Sequence, residues 1–280
     1  MRTQMTWRTM LVEGRPASYG VAGDGPPVVF LHGWGLSHRT YRHGLERLVG
    51  RGVRVLAPAL PGFGGTVPLP AERFSLEGYA DWVAAFLAEH GVDEPVTLVG
   101  HSFGGGVALR TAHDHPDVVG QLVLVNSIGG SVWANRGELP VLLADRPIWD
   151  WGLHLAAHAL SVRSFTRVVP VIAADAVPNF LLHPSTLWKV GRLARDANLA
   201  EELEELKQRG LPVVIVWGRD DSVLPWACAE SLAVALGGPE VVTVPGNHSW
   251  LLADPRRFAE VITNVIGVAS DEETEETQVS

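Results

Sequence analysis

The sequence predicts an α/β protein in which a mostly parallel β-sheet carries helices on both faces. Short β-rich runs alternate with helix-like segments along most of the 280 residues, which is the order that βαβ units produce. Most of these runs are continuously apolar, as expected for strands that are buried on both faces of a sheet. With 46% hydrophobic and 19% charged residues, the chain can bury a large core around one sheet.

The predicted strands begin with an N-terminal hairpin. Residues 5–13 and 17–21 form two segments that are expected to pair antiparallel and lead into the sheet. Six apolar runs follow as the buried strands of the sheet, and they cover residues 27–31, 53–58, 96–99, 122–125, 213–217 and 240–244.

Two helices have clear end signals. The segment 76–90 has helical apolar spacing, with Ser75 as a predicted N-cap and Gly91 as its end. Near the C-terminus, Asp254 supplies a cap and Pro255 a first-turn proline for a helix that runs to about Ile266.

The alternation of strands and helices stops between residues 130 and 209. Only helix-like pieces are predicted there, so the segment is interpreted as an insertion into a core formed by residues 1–129 and 210–269. Its aromatic side chains either pack the inserted helices onto the core or line a pocket where the two parts meet. Residues 270–280 are polar and acidic, and we expect this tail to be disordered.

Charge and composition exclude several classes of function. The net charge is −9 and no Lys/Arg-rich stripe is present, so nucleic acid is not an expected partner. Neither a signal peptide nor an apolar run of about 18 residues is visible, so no stable membrane anchor is predicted and the expected location is cytoplasmic. The single cysteine, Cys228, is interpreted as an inert helix residue. Oligomeric state is not indicated.

A candidate nucleophile follows the strand at 96–99. Gly100-His101-Ser102-Phe103-Gly104 matches G-x-S-x-G, and the glycines after it open a helix. A strand-to-helix turn of this kind exposes the Ser102 hydroxyl beside a helix N-terminus, where backbone N–H groups favour negative charge. The neighbouring His101 is expected to pack and not to react.

A serine nucleophile needs a base and a carboxylate that orients the base. The loop after the strand at 213–217 contains Asp220 and Asp221, and the loop after the strand at 240–244 contains His248. An early turn, His32-Gly33-Trp34-Gly35, can present the Trp34 N–H as one oxyanion donor, and the Phe103 N–H is the expected second donor. His32 is expected to support that turn by hydrogen bonding.

These motifs together resemble the α/β-hydrolase superfamily, in its esterase-like and lipase-like members with a helical cap. The resemblance covers nearly the whole chain and rests on HGWG at 32–35, GHSFGG at 100–105, WGRDDSVLP at 217–225 and GNHSW at 246–250. It implies Ser102 as nucleophile, His248 as base and then acid, and Asp221, the fourth residue of G-x-x-D, as the carboxylate. The insertion at 130–209 then resembles the cap. One departure is Ala59, which replaces the usual Asp of the D-x-P-G-x-G loop.

The resulting expectation is a serine hydrolase that cleaves a carboxylic ester or lactone with a hydrophobic part, through an acyl-serine intermediate. It needs neither a metal nor an organic cofactor, and the spacing of His154 and His158 is interpreted as coincidence. Two alternatives use the same fold: a carbon–carbon bond hydrolase with the same triad, and a receptor that binds a ligand without turnover. Peptidase and acyl-transferase activities also stay open, whereas haloalkane dehalogenases and epoxide hydrolases normally use Asp where Ser102 stands.

Overall fold

The computed structural model describes residues 3–130, 132–136, 139–142, 145, 168–239 and 241–267. Ten strands lie within these ranges. They are β1 Thr6–Val12, β2 Arg15–Ala22, β3 Pro27–Leu31, β4 Arg54–Pro58, β5 Val96–His101, β6 Val119–Val125, β7 Val132–Arg136, β8 Leu139–Leu142, β9 Val213–Gly218 and β10 Val241–Val244.

Nine α-helices are described in the same ranges. They are α1 Arg42–Val49, α2 Leu76–Glu89, α3 Phe103–Asp114, α4 Val168–Leu182, α5 Pro184–Asp196, α6 Ala200–Arg209, α7 Trp226–Ala235, α8 Trp250–Ala253 and α9 Pro255–Ile266. The two predicted caps are confirmed, because the Ser75 hydroxyl accepts from the Gly78 N–H and the Asp254 carboxylate accepts from the Arg257 N–H.

Eight of the strands form one sheet in the order β1-β2-β4-β3-β5-β6-β9-β10. The β1–β2 and β2–β4 pairs are antiparallel, and the remaining pairs are parallel. The predicted hairpin and all six predicted buried strands are therefore present. Because parallel strands end at the same edge, the loops that follow β3, β5, β6, β9 and β10 meet there.

Side chains alternate between two cores on opposite faces of this sheet. In β3, Val29 and Leu31 face the core that contains α2, α3 and α5 to α7, whereas Val28 and Phe30 face the core that contains α1, α8 and α9. All four of these side chains are buried. Burial on both faces explains why the strands appear in the sequence as continuous apolar runs.

The expectation that residues 130–209 contain no strand is wrong. β7 and β8 pair antiparallel with each other in a separate two-stranded sheet. The two segments are short, and Pro140 in the second argues against a strand when the sequence is considered alone. A two-stranded ribbon has only edge strands, and an edge tolerates a proline that a central strand excludes. Between β6 and β9 also lie α4, α5 and α6, here called the inserted helices.

The loop with Ala59 keeps a compact turn without the Asp that the resemblance leads one to expect. The Ala59 N–H donates to the Ser18 carbonyl, and the Gly62 N–H donates to the Thr66 carbonyl. Gly64 has φ 56°, and a side chain there would lie 2.6 Å from the Ser37 Cβ. Backbone bonds therefore hold this loop to β2 and close its turn, and glycine lets it approach the segment that follows β3.

Candidate active site

Ser102 occupies a strained turn between β5 and α3. Its φ is 55°, a value that non-glycine residues rarely adopt. The Ser102 N–H donates to the Val125 carbonyl, and the Ser102 carbonyl accepts from the Gly105 N–H. These two bonds anchor the strained residue to β6 and to the first turn of α3, so its hydroxyl is held at the edge of the sheet.

Glycines at positions 100 and 104 allow this turn to be tight. A Cβ on Gly100 would come within 2.4 Å of the Gly104 carbonyl oxygen, and a Cβ on Gly104 would come within 2.4 Å of the Leu31 carbonyl oxygen. Both neighbours are backbone atoms that cannot rotate away. The glycines of the motif are therefore required by close backbone approach.

Three of the predicted site residues come together at the edge of the sheet. His248 Nε2 lies 3.0 Å from the Ser102 Oγ, and His248 Nδ1 lies 2.7 Å from the Asp221 Oδ2. The side chains of His248 and Asp221 are buried, and Ser102 is half-buried. Asp220 is exposed, so of the two adjacent carboxylates only Asp221 reaches the imidazole.

The Asp221 carboxylate accepts four hydrogen bonds. Oδ1 accepts from the backbone N–H groups of Val223 and Leu224, at 2.8 and 2.9 Å. Oδ2 accepts from His248 Nδ1 and, at 2.6 Å, from Asn126 Nδ2. Since all the donors converge on it, the ionised carboxylate is held in one orientation and keeps the His248 proton on Nδ1.

Asn126 is a residue of the site that the sequence reasoning missed. It directly follows β6, is fully buried, and has φ 43°. Its side-chain oxygen accepts from the Trp250 indole N–H at 2.9 Å while its NH₂ donates to Asp221. The available signal was its position, because a polar residue directly after a buried strand lies at the same edge as Ser102.

His101 and Tyr41 link the turn after β3 to the loop that contains His248. The Tyr41 hydroxyl accepts from the Gly33 N–H at 3.2 Å and lies 2.9 Å from His101 Nδ1. His101 Nε2 lies 3.1 Å from the His248 carbonyl oxygen, to which it donates. Burial holds the His101 pKa well below its ordinary value, so its ring is neutral and can accept from Tyr41 on one side. The expectation that His101 only packs is therefore incomplete.

His32 supports the turn after β3, as predicted. Its Nε2 accepts from the Leu60 N–H at 2.9 Å, so the proton lies on Nδ1, which donates to the Gly33 carbonyl at 2.9 Å. Burial lowers the His32 pKa to about 4, which keeps this neutral tautomer. Trp34 lies in the turn that His32 holds, and Phe103 begins α3, where amides lack an acceptor one turn earlier.

An apolar cavity of about 260 Å³ lies over Ser102. Both predicted oxyanion residues line it, together with side chains from the core and from the inserted helices. The inserted helices contribute Ile172, Ala176, Leu187 and Ala194. Of the aromatic residues in the insertion, Phe180 and Trp188 are exposed and do not line this cavity. The site is thus a hydroxyl, an imidazole and a carboxylate beneath an apolar chamber.

Several predicted features lie elsewhere or outside the described residues. Outside the described ranges lie His154, His158, the acidic tail and three aromatic residues of the insertion, Trp149, Trp151 and Phe165. Within those ranges, no three His, Cys, Asp or Glu side chains are placed so that they could hold a metal ion. Cys228 lies in α7, so its predicted place in a helix is confirmed, and the structure shows it to be buried.

His38 gives the protein a predictable response to acid. It is fully buried, and among the described residues neither ring nitrogen has a hydrogen-bond partner. Burial lowers its pKa from 6.5 to about 3, so the unfolded chain takes up a proton well before the folded chain does. The free energy of unfolding therefore keeps its full value above pH 6.5 and falls as the pH drops towards 3. The fall is about 1.4 kcal/mol per pH unit for each such proton.

We expect His38→Leu to be at least as stable as the wild type at pH 7, because it removes two unsatisfied buried nitrogens. Its melting temperature should also fall less between pH 6.5 and 4, since one proton uptake is lost. Thermal unfolding over this pH range measures both effects. His43→Leu is the matched control, because His43 is exposed on the next helix. An unchanged acid response in His38→Leu would contradict the assignment.

Comparison with known proteins shows the family to which the chain belongs. Residues 28–261 match the alpha/beta hydrolase family, which is more than half of the chain. The chain therefore belongs to the α/β-hydrolase family, and it is a hydrolase. The mostly parallel sheet and the strand-to-helix turn at Ser102 are those that the motifs predict for this family.

Individual relatives have related descriptions. The chain is 31% identical over 264 residues to a pimeloyl-[acyl-carrier protein] methyl ester esterase of Aromatoleum aromaticum, covering 86% of this chain and 98% of that one. An esterase from Rhodococcus sp. ECU1013 superposes with a TM-score of 0.70 at 26% identity, over 95% of this chain and 100% of the other. An esterase from Exiguobacterium antarcticum superposes with a TM-score of 0.71 at 21% identity, over 94% and 99%, and so shows likeness of fold. None of the described helices is long and apolar enough to cross a bilayer.

Proposed function

We propose that the protein hydrolyses carboxylic esters, or lactones, with a hydrophobic part, through an acyl-serine intermediate. The observation that carries this proposal is the Ser102 Oγ, 3.0 Å from His248 Nε2 at the base of an apolar cavity. The relatives described as esterases support the same reaction class. We further propose that residues 130–209 form a cap over the core of residues 1–129 and 210–269.

The proposed reaction begins with attack of the Ser102 Oγ on the ester carbonyl carbon. His248 Nε2 takes the hydroxyl proton as the oxygen–carbon bond forms, and Asp221 stabilises the imidazolium that results. The carbonyl oxygen becomes an oxyanion, which the Trp34 and Phe103 N–H groups hold. His248 then gives its proton to the leaving alkoxide as the bond between the acyl carbon and the alcohol oxygen breaks.

Water completes the cycle by the same path in reverse. His248 removes a proton from water as the water oxygen attacks the acyl carbon, and it returns that proton to the Ser102 oxygen as the acyl–serine bond breaks. The carboxylic acid leaves and the serine is restored. His248 accepts and returns the proton in every proton transfer of this cycle.

The apolar lining predicts that the acyl chain length sets the rate. Each added CH₂ that is buried contributes about 0.8 kcal/mol, so kcat/KM should rise about fourfold per CH₂ until the cavity is full. The measurement is kcat/KM for p-nitrophenyl acetate, butyrate, hexanoate and octanoate. A flat or falling series would contradict an apolar acyl pocket.

One substitution on α4 tests where that chain lies. Ala176→Leu fills part of the cavity, and we expect it to lower the octanoate-to-acetate ratio by about tenfold, with acetate little affected. Ala173→Leu is the matched control, because Ala173 is exposed on the same helix and does not line the cavity. Equal effects of the two variants would remove α4 from the acyl site.

A substrate panel separates this proposal from its alternatives. Turnover of esters or lactones with formation of a labelled acyl-Ser102 supports it. Turnover confined to dienone-type ketones would instead identify a carbon–carbon bond hydrolase, and stoichiometric ester binding without turnover would identify a receptor.

A further inference from the structure

Helix α4 contacts the segment after β3 through a partly buried group of polar side chains. The Asp175 carboxylate accepts from the Ser37 hydroxyl at 2.8 Å, from the Ser37 N–H and from the Thr40 hydroxyl. Ser37 and Thr40 are both buried. Ser37 caps the short 3₁₀ helix His38–Tyr41, and Thr40 lies within that helix. A single carboxylate of the inserted helices therefore holds this turn through three donors.

One turn further along α4, Asn179 makes a second connection. Its NH₂ donates to the Gly35 carbonyl at 3.2 Å, and its side-chain oxygen accepts from the Gly64 N–H at 3.3 Å. The Asn179 side chain is buried. From the next helix, the Leu187 carbonyl accepts from the Trp34 indole N–H at 2.7 Å. Both helices α4 and α5 thus bond to the segment that contains the Trp34 amide.

Asp and Asn inside a helix lower its intrinsic stability, and the contacts that they form must offset that loss. Asp and Asn rank below Ala in helix propensity, and α4 also contains Pro178, which removes a backbone hydrogen bond. The rest of α4 is mostly apolar. Asp175 and Asn179, one turn apart, both bond to the segment that follows β3.

The loop that they hold contains the proposed oxyanion donor. Asn179 bonds to Gly35 on one side of the Trp34 amide, and Tyr41 bonds to the Gly33 N–H on the other side. Asp175 fixes the 3₁₀ helix that ends at Tyr41. One flank of the donor therefore depends on α4 directly, and the other depends on it through the 3₁₀ helix.

We infer that Asp175 and Asn179 are positioning residues, through which α4 sets the place of the Trp34 N–H in the oxyanion hole. This inference rests on the proposed function, and it predicts that the inserted helices contribute to the rate as well as to substrate binding. Misplacing an oxyanion donor costs rate, because such donors act on charge that develops in the transition state.

The test compares Asp175→Ala with Asp175→Asn and with a matched control. We expect Asp175→Ala to lower kcat for p-nitrophenyl butyrate by about 10- to 100-fold with KM changed less than about threefold, a smaller loss than removal of a whole donor. Asp175→Asn keeps one acceptor and should recover part of the rate. Glu202→Gln removes a carboxylate that ties α6 to Arg110 on α3, and it should lower stability without changing kcat.

A double-mutant cycle locates the effect in the contact itself. Thr40→Val removes a donor from the core side, and the Thr40→Val, Asp175→Ala double variant should lose no more rate than Asp175→Ala alone. Additive losses would overturn the inference, and so would an Asp175→Ala protein that melts earlier but keeps its kcat.

The rate of labelling by a fluorophosphonate separates this inference from the proposed function. The reagent needs Ser102 and the oxyanion hole but no ester substrate, so the labelling rate of Asp175→Ala should fall in parallel with kcat. If the wild-type protein is labelled but hydrolyses no ester, the proposed function fails and the ratio of labelling rates still decides the inference. If the wild-type protein is not labelled, both fail. If Asp175→Ala is labelled at the wild-type rate, the inference fails and the proposed function is unaffected.

Discussion

Ser102→Ala is expected to lower kcat for p-nitrophenyl butyrate by about 10⁶-fold, the loss that follows removal of a serine nucleophile from a triad. The hydroxyl is the only atom that changes, and it is the atom 3.0 Å from His248 Nε2. Alanine keeps the Cβ and adopts the φ of 55° about as well as serine does, so the turn should survive. Any residual turnover should come from the proposed oxyanion donors and from binding.

Two control measurements show whether the loss of rate comes from the missing hydroxyl. The melting temperature of Ser102→Ala should stay within a few degrees of the wild type, which separates lost chemistry from lost folding. A fluorophosphonate should label the wild-type protein once and leave the variant unlabelled. Undiminished ester turnover by a pure variant would end the assignment of Ser102 as nucleophile.

Asp221→Asn should cost about 10⁴-fold in kcat, because the amide favours the wrong tautomer of His248. The four hydrogen-bond donors that meet Asp221 require acceptors on both of its oxygens. Asparagine offers one oxygen. If that oxygen accepts from the Val223 and Leu224 amides, the NH₂ group faces His248 Nδ1, which then becomes an acceptor. The imidazole proton moves to Nε2, where it blocks removal of the Ser102 proton.

Asp220→Asn is the matched control for that variant. The two residues are adjacent and carry the same charge, but Asp220 is exposed and makes no side-chain contact with His248. We expect its kcat to stay within about threefold of the wild type, as for surface substitutions away from the site. A greater loss in Asp220→Asn than in Asp221→Asn would reassign the carboxylate.

The pH dependence of kcat/KM gives a further check on the effect of Asp221→Asn on His248. Wild-type turnover needs His248 Nε2 free to accept the Ser102 proton. Asp221→Asn should keep little activity at any pH, because its defect is the position of a proton and not the number of protons bound. Recovery of wild-type rates at alkaline pH would contradict that explanation.

Most of the fold could be predicted because its signals are local. The buried strands appear as apolar runs, and the caps at Ser75 and Asp254 lie beside the helices that they begin. The turn at Ser102 is equally local, since its glycines are within two residues of it. The ribbon of β7 and β8 escaped prediction because two short strands, one with a proline, have too weak a pattern.

The candidate site divides along the same line. Sequence alone determined the loops that contain Ser102, Asp221 and His248, because each follows a recognisable strand and parallel strands end at one edge. The further groups that hold these side chains in place become visible only in the folded chain. Asn126 reaches Asp221 across 95 residues of chain, and Asp175 reaches Ser37 across 138. Such contacts leave no periodic trace in the sequence, since a single polar residue forms each one and its partner is fixed only when the helices pack against the sheet.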